Sequence, residues 1–259
     1  MTAAGTPIRD RIAAWPWLAE LGVVLWVSLG ASALRAVLSL LNRLTAGIAL
    51  SEQSASIVVS QTPDRPWLDL AYQLAGIVIM VGPVALVWYL LRRSGDGFAS
   101  IGLDRSQPRR DLTRGLIVAA GVGSVGLAFY LLAYQLGISV QIAAVTAAPF
   151  WWTTPVVLLD ALGNALLEEV VILGYFLKRT RQAGVPMATA VLVSSLIRGT
   201  YHLYQGFGGF IGNFAMGLLF GWLYVRWGRC LPLVIAHFAI DAVAFVGYLY
   251  LRGQVSWLP

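Results

Sequence analysis

The stretch ALGNALLEEVVILGYF, residues 161–176, decides the fold, because it is apolar around a whole helix yet holds two adjacent carboxylates, Glu168 and Glu169. It sits in a chain that is 58% hydrophobic and only 12% charged, with mean hydropathy +0.75, which is not the balance of a water-soluble domain. A membrane crossing needs about 20 apolar residues of helix. Apolar runs of that order recur at 18–42, 67–91, 115–137, 152–177, 187–204, 208–225 and 232–251. In hydrocarbon the backbone must satisfy its own hydrogen bonds, which selects helices over open strands. The expected fold is therefore all-α: a polytopic transmembrane helix bundle of about seven spans, integral to the membrane. Residues 1–151 form N-terminal helices with a basic connection, 152–251 a helical core, and 252–259 a short tail.

The net charge of +6 does not indicate nucleic acid, because the basic residues gather between the apolar runs. One connection holds Arg92, Arg93, Arg105, Arg109, Arg110 and Arg114, a second Lys178, Arg179 and Arg181, a third Arg226 and Arg229. With spans alternating in direction, these and Arg9 with Arg11 fall on one side, whereas residues 138–151 on the other side carry no charge. The positive-inside rule then predicts a cytoplasmic N-terminus and an external C-terminus; the expected location is the plasma membrane of a prokaryote. The first apolar run continues past Arg35 and reads as a retained helix rather than a cleaved signal. Trp15, Trp17, Trp67, Trp151, Trp152 and Trp227 lie near span ends, as interfacial anchors do. The single cysteine, Cys230, permits no internal disulfide and reads as apolar filler. Small residues in GLIVAAGVGSVGLAF (115–129), and Asn213, Gly217 and Gly221 spaced by four, predict close helix packing.

Chemistry is sought in the polar residues inside the spans, since a charge at a helix centre costs about 2.5–3.5 kcal/mol even on a lenient scale. Asp160, Asn164 and Glu168 recur every four residues and make a polar stripe. Glu169 points about 100° away, so the two acids are not expected to share a partner. SSLIRGTYHLYQG (194–206) places Ser194 or Ser195, Arg198, His202 and Gln205 three or four apart on one face. HFAID (237–241) does the same for His237 and Asp241. One histidine in a span is more often a helix–helix hydrogen bond. Both histidines of the chain, with four acids and an arginine, favour a site. Glu168 and His202 lie at similar depth, roughly 25 Å from the Gly184–Pro186 turn at 1.5 Å per residue. His237 and Asp241 lie roughly 10–16 Å from their own connection and approach from the arginine-rich side.

These motifs, in this order, resemble the CPBP family of intramembrane proteases, which includes CAAX-processing endopeptidases and bacterial proteins linked to bacteriocin processing or self-immunity. The family pattern is Glu-Glu followed by Arg after three residues, then Phe-x-x-x-His, then His-x-x-x-Asn or Asp. The matching residues are Glu168 and Glu169, His202, and His237 with Asp241. Leu173 stands where the family has Arg, and Arg198 where it has Phe, so Arg198 is expected to supply across a helix interface the charge usually supplied from within the helix. The resemblance implies an endopeptidase acting on a membrane-associated protein or peptide. Glu168, helped by His202, would activate water, with His237 and Asp241 at the carbonyl, and Glu169, Arg198 and Asn164 in support. A divalent metal such as zinc is left open as cofactor, because Glu and His are also zinc ligands. Two other readings remain: a catalytically silent scaffold or immunity protein, for which Leu173 argues, and an ion-coupled transporter, which predicts internal repeats that the chain lacks.

Overall fold

The computed structural model describes residues 8–255; the side chains of Arg9 and Arg11 and tail residues 256–259 lie outside the described residues. The helices fall into seven rods at the positions that the apolar runs predict. The first joins α1 (Ile8–Leu25) to α2 (Ala31–Leu44) through a π-helical turn, Trp26–Gly30. Then come α3 (Pro66–Arg93) and α4 (Pro108–Gln135). The fourth rod joins α5 (Thr153–Leu167) to α6 (Phe176–Gln182) through a longer π-helical segment, Glu168–Tyr175. α7 (Met187–Tyr201), α8 (Phe207–Trp227) and α9 (Leu231–Leu251) complete the set. Proline opens α3 and α4 at the first turn, where its missing N–H costs nothing. Arg92 and Arg93 close α3 at the end its dipole makes negative.

Five of these rods are long and apolar enough to cross a membrane: Trp15–Leu44, Pro66–Arg93, Pro108–Gln135, Phe207–Trp227 and Leu231–Leu251. The other two are those that carry the polar stretches: α5–α6 holds Asp160, Glu168 and Glu169, and α7 is only 15 residues long. The arrangement is inside-out relative to a soluble protein. Val78, Ile79, Val125 and Val243 are at least 69% exposed on the outside, as lipid-facing residues are. Every residue of Glu168–Tyr175 is buried, because α1, α3, α7, α8 and α9 all pack against that segment.

Two short strands, which the sequence reading left as connections, join the loops at the end opposite the arginines. β1 (Ser54–Val58) pairs in parallel with β2 (Gln141–Val145), Ser54 opposite Gln141 and Val58 opposite Val145. Neither five-residue segment has enough alternation to announce a strand, and their partnership spans most of a hundred residues. The sheet adds little to an all-α bundle. It ties the α2–α3 and α4–α5 loops together above the site.

The predicted close packing has a definite partner. Cβ atoms added at Gly217 and Gly221 of α8 would stand 3.0 Å from the Cα of Ser195 and 2.6 Å from a Val191 methyl, so α7 is the helix that the bare face admits. Asn213 hydrogen-bonds its own helix, to Gly209 O at 3.0 Å, and takes no part in the seam.

Two basic residues that enter the orientation argument are interior parts. Arg179 is fully buried, bonded to Glu20 (2.8 Å), Gln182 (2.7 Å) and Ser94 (3.1 Å) and lying over the Trp17 ring, and so docks α1 on the core. Arg229 closes the arginine-rich end, donating to Asp111 at 2.6 Å, Ser106 at 2.9 Å and the Asp104 carbonyl at 3.0 Å. The Asp104 carboxyl is held down to about 2, first by hydrogen bonds from the Ser106 side chain and backbone N–H, then by Arg229. Beside this clamp Gly102 has φ +68°, and a Cβ there would lie 2.3 Å from the Gly228 carbonyl oxygen and 2.4 Å from the Arg229 Cα. Gly102→Ala combines a left-handed backbone with a collision against backbone atoms, and is expected to cost about 2–4 kcal/mol. Thermal unfolding of the detergent-solubilised protein reads this directly; an unchanged Tm contradicts it.

Candidate active site

The site is built on the π-helical turn. Hydrogen bonding from i to i+5 widens the helix at Glu168–Tyr175, a feature that recurs where helices carry function. Consecutive residues in a widened turn are not separated as they are in an α-helix, and this overturns the expectation that Glu168 and Glu169 look toward different partners. One nitrogen, Nη2 of Arg198, reaches both: 3.1 Å to Glu168 Oε2 and 2.7 Å to Glu169 Oε1. Glu168 is 3% exposed, Glu169 0% and Arg198 1%, so a full ion cluster is enclosed here. The phase shift also splits the polar stripe. Glu168 turns toward α7, while Asn164 turns toward α9 and donates to Asp241 Oδ2 at 3.0 Å. Asp160, a turn farther along, is half-buried.

α7 supplies three groups from one turn. Arg198 meets the acids; Tyr201 donates its hydroxyl to Glu168 Oε2 at 2.8 Å; and His202, at the C-cap of the helix, brings Nε2 to 3.7 Å from Glu168 Oε1. Gln205 backs His202, its Nε2 lying 3.4 Å from Nδ1, and also donates to Tyr204 Oη at 2.8 Å. Ser194 and Ser195 do not join: both hydroxyls bond the Val191 carbonyl, at 3.1 and 2.7 Å, one turn back on their own helix.

α9 completes the cluster level with the acids and not from the arginine-rich side as the depth count expected, because Cys230 at its start already lies beside Glu169 and Asp241 reaches Asn164, a turn beyond Glu168. His237 Nδ1 lies 2.8 Å from Glu169 Oε1, and Nε2 lies 3.4 Å from Asp241 Oδ2. A carboxylate only accepts, so Nδ1–H is the donor to Glu169. The 3.1 Å approach of Arg198 Nη2 to Nδ1 follows from two donors converging on one oxygen. His237 therefore meets Glu169 and not Glu168, an assignment that depth alone did not make. Cys230 donates its thiol to the Glu169 carbonyl oxygen at 3.2 Å. Leu173, at the position of the family arginine, is 2% exposed within the apolar core and has no polar part in the site.

Tyr201 was not singled out in the sequence, and Cys230, read there as apolar filler, bonds the backbone of Glu169. For Tyr201 a signal exists: it falls three residues after Arg198 in a helix facing Glu168, and a buried tyrosine hydroxyl needs a partner. Tyr201→Phe removes one of the donors that hold Glu168 Oε2. It is expected to cost about 1 kcal/mol of stability, the net worth of such a bond, read as a lower Tm of the detergent-solubilised protein.

Glu168, Glu169 and His237 offer ligand atoms that all lie within 4.8 Å of one another, a donor set for a divalent cation. In this chain Arg198 Nη2 already stands on that set, within 3.1 Å of Glu168 Oε2, Glu169 Oε1 and His237 Nδ1. The guanidinium fills the cation position, so these residues fit Arg198 and not zinc at that point. Three polar atoms around it, Glu169 Oε2, Arg198 Nε and His202 Nε2, are buried without a protein partner.

Residues 150–243 match the family model described as type II CAAX prenyl endopeptidase Rce1-like. The matched segment contains Asn164, Glu168, Glu169, Arg198, Tyr201, His202, His237 and Asp241, the whole cluster. No curated protein and no solved structure matches the chain.

Proposed function

We propose that this integral membrane protein, whose residues 150–243 match the Rce1-like type II CAAX prenyl endopeptidase model, is an endopeptidase in which Glu168 and His202 activate a water to cleave a membrane-associated peptide. The observation that carries the reading is the pairing of Glu168 Oε1 with His202 Nε2. At 3.7 Å the two atoms are beyond direct hydrogen-bond length yet face each other, and a water between them requires the pair to part by roughly 1 Å. His202 Nε2 is buried without a protein partner, so a water there has a group to bind besides the carboxylate.

Glu168 takes a proton from that water as the oxygen attacks the peptide carbonyl. The new C–O bond forms, the carbonyl π electrons move to oxygen, and collapse of the adduct breaks the C–N bond. The proton held by Glu168 passes to the departing amine. His237 is held at Nδ1 by Glu169, so its one remaining donor is Nε2–H, 3.4 Å from Asp241 Oδ2, and an oxyanion would take that donor in place of Asp241. Arg198 Nη2, within 3.1 Å of both Glu168 and Glu169, supplies the positive charge that the two acids share. Every step runs on the chain's own groups, and cleavage is expected to persist in the presence of EDTA.

The family description names prenylated CAAX proteins as what its members process, so the first substrates to test are peptides with a lipid-modified C-terminal cysteine. Purified protein in lipid nanodiscs, mixed with such peptides and with unmodified transmembrane peptides, provides the test. Cleavage by the wild type that disappears in both Glu168→Ala and His202→Ala supports the protease. Peptide binding without cleavage in all three proteins supports a silent scaffold instead.

A further inference from the structure

A second polar constellation lies well away from the carboxylates, where α4 begins and α8 ends. Gln107, Arg110, Arg114, Trp222, Arg226 and Trp227 line a cavity of about 400 Å³ at the arginine-rich end of the bundle. Arginines at a membrane boundary are ordinarily solvated singly. Here three converge on one hollow, and among the described residues none of the three pairs with a carboxylate. The acid on the same helix is already committed: Asp111 is fully buried and bound to Arg229 at 2.6 and 2.8 Å. The polar contact within the set is Arg110 Nη1 to Gln107 Oε1 at 3.2 Å, which leaves most of the guanidinium donors free. Arg114 lies over the Trp227 ring, 4.6 Å from its centroid, which holds its planar fork in place.

We infer that this cavity binds the phosphate headgroup of an anionic phospholipid. Three unneutralised guanidinium groups fit a phosphate by bidentate hydrogen bonding and by charge. The surroundings favour a lipid over a soluble phosphate. Trp222 is 60% exposed, and Leu112, Leu116 and Val225 are each 51% exposed on the adjoining outer faces of α4 and α8. A headgroup held in the hollow thus has apolar side chains along the path its acyl chains must take. Basic pockets between helices on the arginine-rich side of a membrane protein recognise such headgroups, and tryptophans sit naturally at that level. The larger cavity on the same end, about 880 Å³, includes Lys178, but that ammonium is already paired with Asp96 at 3.0 Å.

The test is native mass spectrometry of the full chain in detergent, titrated with phosphatidylglycerol, phosphatidylcholine or inorganic phosphate. The expected result is binding of phosphatidylglycerol at least about tenfold tighter than phosphatidylcholine, reduced about tenfold in the triple variant Arg110→Gln/Arg114→Gln/Arg226→Gln. Arg92→Gln/Arg93→Gln removes the same kind of charge from the same end outside the cavity, and is expected to change the binding less than about twofold. Should the triple variant fail to fold, Arg226→Gln alone, at an exposed position, is expected to weaken binding about threefold. Equal losses in the triple and control variants, or wild-type binding in the cavity variants, overturn the proposal. So does displacement of phosphatidylglycerol by an equal concentration of inorganic phosphate, which would make the site one for a soluble anion.

Discussion

In Glu168→Gln, peptide cleavage falls by about 10²–10⁴-fold, the contribution of a positioned general base, while the protein keeps its fold. The amide preserves the shape of the side chain and can still accept from Tyr201, which donates to Glu168 at 2.8 Å, so the scaffold around the position is undisturbed. What is lost is the capacity to take a proton from the water that Oε1 and His202 would share. The loss should appear in kcat with KM little changed, because binding of the peptide does not require the base. Glu169→Gln offers the internal contrast. Its Oε1 receives Arg198 and His237, at 2.7 and 2.8 Å, so the change acts through the orientation of His237 and is expected to lower turnover by less than Glu168→Gln does. Equal effects of the two substitutions would contradict the division of labour.

Arg198→Leu has the largest expected effect on stability. It leaves Glu168 and Glu169, 3% and 0% exposed, beside each other without the guanidinium they share. Removing one member of a buried ion cluster costs about 3–5 kcal/mol, because the remaining charges stay desolvated and unpaired. The measurement is thermal or denaturant unfolding in detergent. The result is sharpened by Glu169→Gln/Arg198→Leu, in which one of the stranded charges is gone and part of the stability returns. Arg198→Lys discriminates further. All of the acid contacts are made by the single atom Nη2, so an ammonium placed there can replace much of the charge and should be far less damaging than leucine. A Leu variant as stable and as active as the wild type would remove Arg198 from the cluster's charge balance.

The spacing of residues in the chain made much of this legible. Seven apolar runs foretold seven rods to within a few residues for most ends, because a helix in hydrocarbon must be long, apolar and internally hydrogen-bonded. Glu168, Glu169, Arg198, His202, His237 and Asp241 were identifiable because ionisable groups are costly in such helices. Less visible were features that arise when helices touch. The π-helical turn at Glu168–Tyr175 has no mark in EEVVILGY, and it is that turn which lets both acids meet one guanidinium. Tyr201 looked like one more aromatic until its hydroxyl was found on Glu168. Ser194 and Ser195, on the right face by spacing, proved to be satisfied within their own helix.

Composition and periodicity suffice for the class of fold, the positions of the rods and the inventory of groups able to do chemistry, since these depend on each helix alone meeting the membrane. Packing decided the rest: which acid meets His202 and which meets His237, that Arg198 fills the cation position, and that Arg179 and Arg229 are interior clamps. Those outcomes turn on sub-turn rotations of one helix against another, and a rotation of that size leaves the apolar pattern of each helix unchanged.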